Sequence, residues 1–359
     1  MANCQQVLLG EVTAKAKMDK NRYRLLAMLL ASLIFIGCAG THTSLRVGGS
    51  LPVAGMPADT EGDSITICSF NIKFLGHYKS KDHRHLAAIL DECDIAVIQE
   101  LVAPPYGDFD YPDGSPVAAD NEASQFFDEM LNHQSDYILS EEDTGPNEII
   151  HSNGTGTEWW VAFFRPDRIE YADDLPNGFL ADDRSHNDEY DRVPYAFGFR
   201  TPGGNLDFVL ISVHLRAEAS EREWRKNELE GIAAWIAENN ESEKDFIILG
   251  DMNIQNAAEL AKITPGGFVS LNDECRPTNT NPRSPKPYDH VMFNERFTSE
   301  MDRDFGLEII DLVEAMRPLW SGSNPYPGDP YDGGKFGEFF SDHSPVVFQL
   351  RVPAHDDDP

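Results

Sequence analysis

The chain is short of basic residues. It carries 29 Lys and Arg against 61 Asp and Glu in 359 residues, a formal net charge of −32. A field of that sign opposes long-range attraction of a polyanion and favours cations. Much of it is solvated surface that keeps the chain soluble, the "HDDDP" tail included. Cysteine is scarce as well. Of five, Cys4 and Cys38 lie near the N-terminus, which leaves Cys68, Cys93 and Cys275. Three thiols close at most one bridge, so a small disulfide framework is excluded. Cys68 and Cys93 sit in or beside apolar strands and are expected as buried thiols. Internal repeats are missing, and so is any linker long enough to divide residues 64–352, which favours one large domain over two small ones. Also missing is a long apolar run: Leu25 to Ile36 is short for a membrane-spanning helix.

What surrounds that run reads as an export signal. Lys20, Arg22 and Arg24 form a basic region, the apolar run follows, and Gly37-Cys38 ends it. Phe35-Ile-Gly-Cys38 resembles a bacterial lipobox, in which Cys38 is lipidated and becomes the first mature residue. Ordinary cleavage nearby and an uncleaved anchor are the alternatives. Residues 1–17 look like an over-extended start, with Met18 the expected initiator. The organisation is therefore a signal peptide over 1–38, a flexible tether over 39–63, a domain over 64–352 and an acidic tail over 353–359. The expected location is the membrane surface, as a lipoprotein facing the periplasm or cell exterior.

Within the domain, apolar runs bounded by Gly, Pro and Asx predict strands at 64–75, 94–100, 246–249, "PYDHVMF" and "SDHSPVVFQL". "EWWVAFFRPDRIEY" predicts two short strands around the turn at Pro166-Asp167. "VPYAFGFRT" and "LDFVLISVHL" predict a hairpin turning at "PGGN". "DHRHLAAILDE" and "NEASQFFDEMLNHQ" read as helices. In the clearest helix, Leu229, Ile232, Ala233 and Ile236 keep the i, i+3, i+4, i+7 pattern, behind a capping box of Ser220 and Glu223. Strands interleaved with helices imply a layered α/β fold with more than one sheet.

Polar residues recur at the edges of these strands. Asn71 interrupts "ICSFNIKF", Glu100 ends "DIAVIQE", and His214 ends "VLISVH". Asp251 and Asn253 follow "FIIL", Asp289-His290 open "DHVMF", and Asp342-His343 open "DHSPVVF". Each alone suits an exposed strand end. Together they offer carboxylates for a hard divalent cation, imidazoles for proton transfer and amides for orientation. Asp251 and Asn253, two apart, share a direction if the strand persists through both.

"SFNIKFLG", "IAVIQE", "SVHL", "ILGDMNIQ", "PYDHVMF" and "SDHSPV" resemble, in order, the motifs of the endonuclease/exonuclease/phosphatase superfamily. The resemblance implies a four-layer α/β sandwich: two packed mixed β-sheets flanked by helices, with the site at one sheet edge. It implies that Glu100 is the principal metal ligand, with Asn71 beside it and Asp342 in support. Asp251 would orient or activate water, Asn253 would bind phosphate, and His343 would act on the phosphate as base or stabiliser. His214 would be a general acid, oriented by Asp289 and paired with Glu158, while Arg192 and Lys73 would contact substrate. The implied cofactor is Mg2+ or Mn2+, with Ca2+ as an alternative structural or co-activating ion.

Tyr288-Asp289-His290 and "EWWVAFFRPDR" resemble the deoxyribonuclease I-like branch, although Lys73 replaces an arginine that contacts DNA there. The Trp-containing motif of inositol polyphosphate phosphatases and the Arg-Ile-Asp-Tyr of exonuclease III-type enzymes are absent. The expected function is a monomeric, metal-dependent phosphodiesterase, foremost an endonuclease on DNA rather than RNA. The alternatives are a phosphatase or phospholipase C-like hydrolase of lipid or inositol phosphate head groups, and a non-catalytic surface-binding lipoprotein. The leader gives a first test. Cys38→Ser should release the protein from membranes or block its processing; unchanged fractionation with an unchanged mature N-terminus would refute lipidation at Cys38.

Overall fold

A computed structural model describes residues 64–146, 149–184, 187–320 and 331–356. The leader, its Cys38 and the tether lie outside the described residues. None of the described helices is long and apolar enough to cross a membrane.

Thirteen strands and seven helices are described. The strands are β1 (Ser64–Leu75), β2 (Ile95–Leu101), β3 (Asp136–Leu139), β4 (Trp159–Phe164), β5 (Glu170–Tyr171), β6 (Gly178–Phe179) and β7 (Tyr195–Arg200). They continue with β8 (Asp207–His214), β9 (Phe246–Asp251), β10 (Phe268–Ser270), β11 (Asp289–Asn294), β12 (Glu308–Ile309) and β13 (Val346–Arg351). The helices are α1 (His83–Ala88), α2 (Asn121–Asn132), α3 (Arg222–Asn239), α4 (Ala257–Ile263), α5 (Leu312–Ala315), α6 (Arg317–Trp320) and α7 (Gly333–Phe339). One sheet runs β12-β13-β1-β2-β4-β3, and the other runs β10-β11-β9-β8-β7-β5 with β6 also on β7.

Side-chain alternation builds the layers. On β1, Ile65 and Ile67 face the other sheet, where they meet Phe197, Leu210, Ile247 and Leu249. Cys68, Phe70 and Ile72 point the opposite way, toward Leu86 of α1 and Phe126 and Phe127 of α2. On β9 the same rule sends Phe246 and Ile248 outward against Leu229 and Ile232 of α3. The result is helices, sheet, sheet, helices: the expected α/β sandwich.

The inner faces change character toward one end. Ser69 Oγ bonds Gln99 Oε1 at 3.3 Å, and Gln99 Nε2 donates to Ser212 Oγ at 3.1 Å, so a buried polar bridge joins the two sheets. One alternation step further lie Asn71, Asp251 and His214. The site therefore spans the strand ends of both sheets; it is not at a lateral sheet edge.

Some local expectations fail for physical reasons. Cys68 and Cys93 are buried but joined in a disulfide, across a sequence separation of 25, which pins β1 to the entry of β2. Constraining the unfolded chain in this way stabilises by about 3–4 kcal/mol. The two strands expected around Pro166-Asp167 do form, but in different sheets: β4 belongs to the first and β5 to the second, so this turn crosses the sandwich. No capping box forms at α3, whose N-cap is Glu221 and makes no side-chain bond.

Gly250 shows why the apolar run of β9 breaks at glycine. Its φ is +138°, and a Cβ there would lie 2.1 Å from the Val213 carbonyl oxygen. Parallel pairing sets Val213 opposite Gly250 and His214 opposite Asp251, so any side chain at 250 would pry the two functional residues apart.

Candidate active site

Backbone geometry aims the polar residues. Parallel β8 and β9 put His214 beside Asp251, and antiparallel β11 puts Asp289 on the other side of Asp251. In the first sheet, Asn71 pairs with Gln99, and four steps on β1 to Leu75 then match two on β2 to Leu101. A further irregularity sits on β2 between Ile98 and Leu101. Lys73 (φ 57°), Phe74 (51°) and Glu100 (61°) occupy the left-handed region in these bulges. Each costs about 1–2 kcal/mol for a residue other than glycine. Alternation alone would send Glu100 outward with Ile98; the bulge turns it inward.

Asp251 is the hub. Its Oδ2 accepts from Asn71 Nδ2 at 3.0 Å and faces His343 Nε2 at 3.5 Å and His214 Nε2 at 3.7 Å. Oδ1 accepts the Asn253 N–H at 2.9 Å. Asn71 Nδ2 also donates to Glu100 Oε1 at 2.9 Å, and Glu100 Oε2 accepts the Phe74 N–H at 3.0 Å.

Each imidazole is held by its own carboxylate. His214 Nδ1 meets Glu158 Oε2 at 2.8 Å, and Glu158 Oε1 accepts the Glu100 N–H at 2.8 Å. His343 Nδ1 meets Asp289 Oδ2 at 2.8 Å. Thr278 Oγ1 donates to the same Asp289 oxygen at 2.5 Å. Both rings thus present Nε2 toward Asp251, from opposite sides.

The electrostatics follow. Burial pushes the Asp251 carboxyl up, and the two histidines only partly oppose it. Burial likewise raises Glu100 against the pull of His214 and Asn71. Burial alone would raise Glu158, but His214, Arg192 and the Glu100 N–H hold it below the usual range. Burial and Arg192 pull His214 down, yet Glu158 and Asp251 outweigh them and raise it. For His343, burial loses to Asp289 and Asp251, which hold it well above an ordinary imidazole.

Several expected roles change. Asp289 orients His343, not His214; Glu158 alone backs His214. Asp342 does not bond His343: its Oδ2 pairs with Lys73 Nζ at 2.7 Å. Partial burial would raise the Asp342 carboxyl, but His343 and Lys73 hold it below the usual range. Lys73 is thus engaged by a carboxylate, as is Arg192, whose Nε lies 3.1 Å from Glu158 and Nη1 3.2 Å from Asp191. Asn71 turns its N–H face, not its oxygen, to the carboxylates, because its Oδ1 accepts the Lys73 N–H at 3.0 Å. In this arrangement it is a donor to both carboxylates. The strand ends at Asp251, and Asn253 (φ 52°) turns Nδ2 to the Leu215 carbonyl at 3.0 Å. His290 faces the outer core, with its ring nitrogens bonded to Ser270 Oγ and the Pro287 carbonyl, each at 2.8 Å. Burial lowers it to about 4, and it stays neutral.

Sequence reasoning missed Gln99, Ser212, Thr278 and Ser341. Ser341 Oγ donates to the Asn71 carbonyl at 2.6 Å and accepts the His343 N–H at 3.1 Å, tying the last motif to the β1 bulge. Gln99, beside Glu100 in a buried run, was the one readable signal among them.

Two groups of ligand-type residues converge among the described residues: Glu100, His214 and Asp251, and Asp251, Asp289 and His343. Glu100 and Asp251 fit a divalent cation on chemical grounds. Both are desolvated carboxylates whose charge needs a counter-ion, and their oxygens suit a hard metal.

A sequence model of the Endonuclease/Exonuclease/phosphatase family matches residues 68–343, and the chain belongs to that family. Its members are hydrolytic, divalent-metal-dependent enzymes that include nucleases, phosphodiesterases and phosphatases. An endonuclease/exonuclease/phosphatase family protein from Leptotrichia buccalis superposes with TM-score 0.53 at 15% identity, over 80% of this chain and 99% of that one. A family protein from Bacteroides thetaiotaomicron gives 0.50 at 13%, over 81% and 98%. The human Nocturnin catalytic domain with bound sulfate gives 0.49 at 15%, over 80% and 93%. At such identities the likeness is one of fold. No curated protein matches the sequence.

The Glu158–His214 contact yields a test without turnover. In EDTA, the NMR titration of His214 in Glu158→Gln should fall to lower pH, since the group that raises it loses its charge, while His343 stays put. An unmoved His214 titration would contradict the pairing.

Proposed function

We propose that the protein is an exported, divalent-metal-dependent phosphodiesterase, foremost an endonuclease acting on DNA. One observation carries this reading: two carboxylate-backed imidazoles face one buried aspartate from opposite sides. A phosphodiester needs groups on both sides of phosphorus, because a nucleophile enters in line while an ester oxygen leaves. Asp251 orients the attacking water and draws on its proton. His343, held charged by Asp289, steadies the developing charge on the non-bridging oxygens. His214, whose hold on its proton Glu158 strengthens, delivers that proton from Nε2 to the leaving oxygen. A divalent cation held by Glu100 and Asp251 supplies neutralisation of phosphoryl charge when bound. Mg2+ or Mn2+ suits these oxygen donors better than zinc does.

Export through a lipidated Cys38 belongs to the same proposal. The Cys68–Cys93 disulfide supports it, since such bridges persist in oxidising compartments. A second reading, hydrolysis of phospholipid head groups, is favoured by the net charge of −32, which opposes a polyanionic substrate.

Supercoiled plasmid with Mg2+ tests the reading. Wild type should nick it, EDTA should abolish nicking, and Asp251→Ala should lose on the order of 100- to 10,000-fold. Full activity in EDTA would refute metal dependence. An intact plasmid beside released phosphocholine would replace the first reading with the second.

A further inference from the structure

Helix α3 buries two charged residues that the proposed chemistry does not use. Its apolar stripe, Leu229, Ile232 and Ile236, packs with Val209 and Ile211 of β8 and Ile248 of β9. Nearer its N-terminus the same helix carries Arg225 and Glu228, both wholly buried. Charges taken out of water are a poor route to stability. What these two hold is the end of the strand that presents His214.

Glu228 joins two segments through their backbones. Its Oε1 accepts the Asp191 N–H at 2.9 Å, and its Oε2 accepts the Arg216 N–H at 3.3 Å. Arg225, one turn earlier, donates from Nη1 to the Arg216 carbonyl at 2.8 Å and from Nε to Glu259 of α4 at 2.9 Å. Residue 216 is therefore gripped at both its N–H and its C=O, two positions after His214. Between them, the Leu215 N–H donates to the Asp251 carbonyl at 2.9 Å, and the Leu215 carbonyl accepts Asn253 Nδ2 at 3.0 Å.

The other arm of Glu228 leads to Glu158. Asp191 precedes Arg192, whose Nε lies 3.1 Å from Glu158 Oε2, the oxygen that also meets His214 Nδ1. Gly231, one turn beyond Glu228, lets this loop sit on the helix: a Cβ there would collide with the Glu189 carboxylate and lie 2.9 Å from the Tyr190 hydroxyl. The segments before Arg192 and after His214 thus share one anchor.

A carboxylate suits this place because two donors approach two oxygens, whereas an amide would turn N–H2 toward one of them. The charge itself is unfavourable. Burial pushes the Glu228 carboxyl up to about 7, against the pull of the Asp191 and Arg216 N–H groups. Folding raises this carboxyl above its unfolded value, so its effect on stability worsens as pH rises and is fully present above pH 7.

We infer that Glu228 is a positioning residue for the His214 side of the site: through the Asp191 and Arg216 backbones it fixes Arg192 against Glu158 and the strand end that presents His214 to Asp251. The inference deepens the phosphodiesterase reading and rests on it.

The test separates positioning from scaffolding. Glu228→Gln, alone and in a His214→Ala background, is assayed on bis(p-nitrophenyl) phosphate with saturating Mg2+ at pH 8, where the wild-type carboxylate is ionised. In EDTA, thermal unfolding is followed at pH 8, and His214 and His343 are titrated by NMR. The single variant should lose about 10- to 100-fold in kcat with KM nearly unchanged, as a misplaced catalytic group does. Its Tm should hold or rise, since a buried charge is removed, and the His214 titration should move while that of His343 stays. In the His214→Ala background the same substitution should cost at most about twofold, because the group it positions is gone. An unchanged kcat with an unmoved His214 titration would overturn the inference, as would an equal loss with and without His214. A fall in Tm that moves both histidines would also overturn it, by assigning Glu228 to the scaffold alone. A wild type that hydrolyses neither the small diester nor plasmid would overturn the phosphodiesterase reading instead, and the titrations in EDTA would still decide whether Glu228 positions His214.

Discussion

A carboxylate buried between two β-sheets is costly unless donors surround it, and the site is organised around meeting that demand at Asp251. The β1 amide of Asn71 and the backbone N–H of Asn253 donate to it, and two imidazoles backed by Glu158 and Asp289 face it. These groups come from both sheets, so the centre exists only when the sheets are packed in register. The buried Ser69–Gln99–Ser212 bridge lies one step below and fixes that register with polar bonds that a purely apolar interface would not provide.

Strain gathers at the same place. Of the seven non-glycine residues with positive φ among the described residues, Lys73, Phe74, Glu100 and Asn253 lie in the segments that form the site. Strands pair by regular alternation, and a regular strand cannot deliver Asn71 and Glu100 to one point. The bulges in β1 and β2 solve this by spending extra residues, and the disulfide at the base of β1 and β2 anchors the strands that carry the distortion. Stability is thus concentrated below a locally unfavourable backbone, as expected where geometry serves chemistry.

The fold was legible because hydrophobic period and strand-end polarity agree along the chain. β1 spans the residues expected of it, and the catalytic candidates do converge. Partner identities were less legible. Asp289 sits next to His290 in sequence and near His214 in the implied roles, but antiparallel pairing of β11 with β9 hands it to His343. Asp342 adjoins His343 along the chain, yet successive residues on an extended segment point apart, and Lys73 takes it. Thr278 lies in a loop whose return toward Asp289 leaves no local mark. Glu100 was recognisable as a ligand-type residue, whereas the bulge that aims it was not.

The central claim is that His214 and His343 act in one transition state around Asp251. The direct measurement is a double-mutant cycle, with His214→Ala, His343→Ala and the double variant assayed for kcat/KM on bis(p-nitrophenyl) phosphate under saturating Mg2+. Residues working on one transition state are non-additive, so the double variant should lose far less than the product of the single losses, each about 100- to 10,000-fold. Losses that multiply fully, or a single variant with near-wild-type turnover, would contradict it.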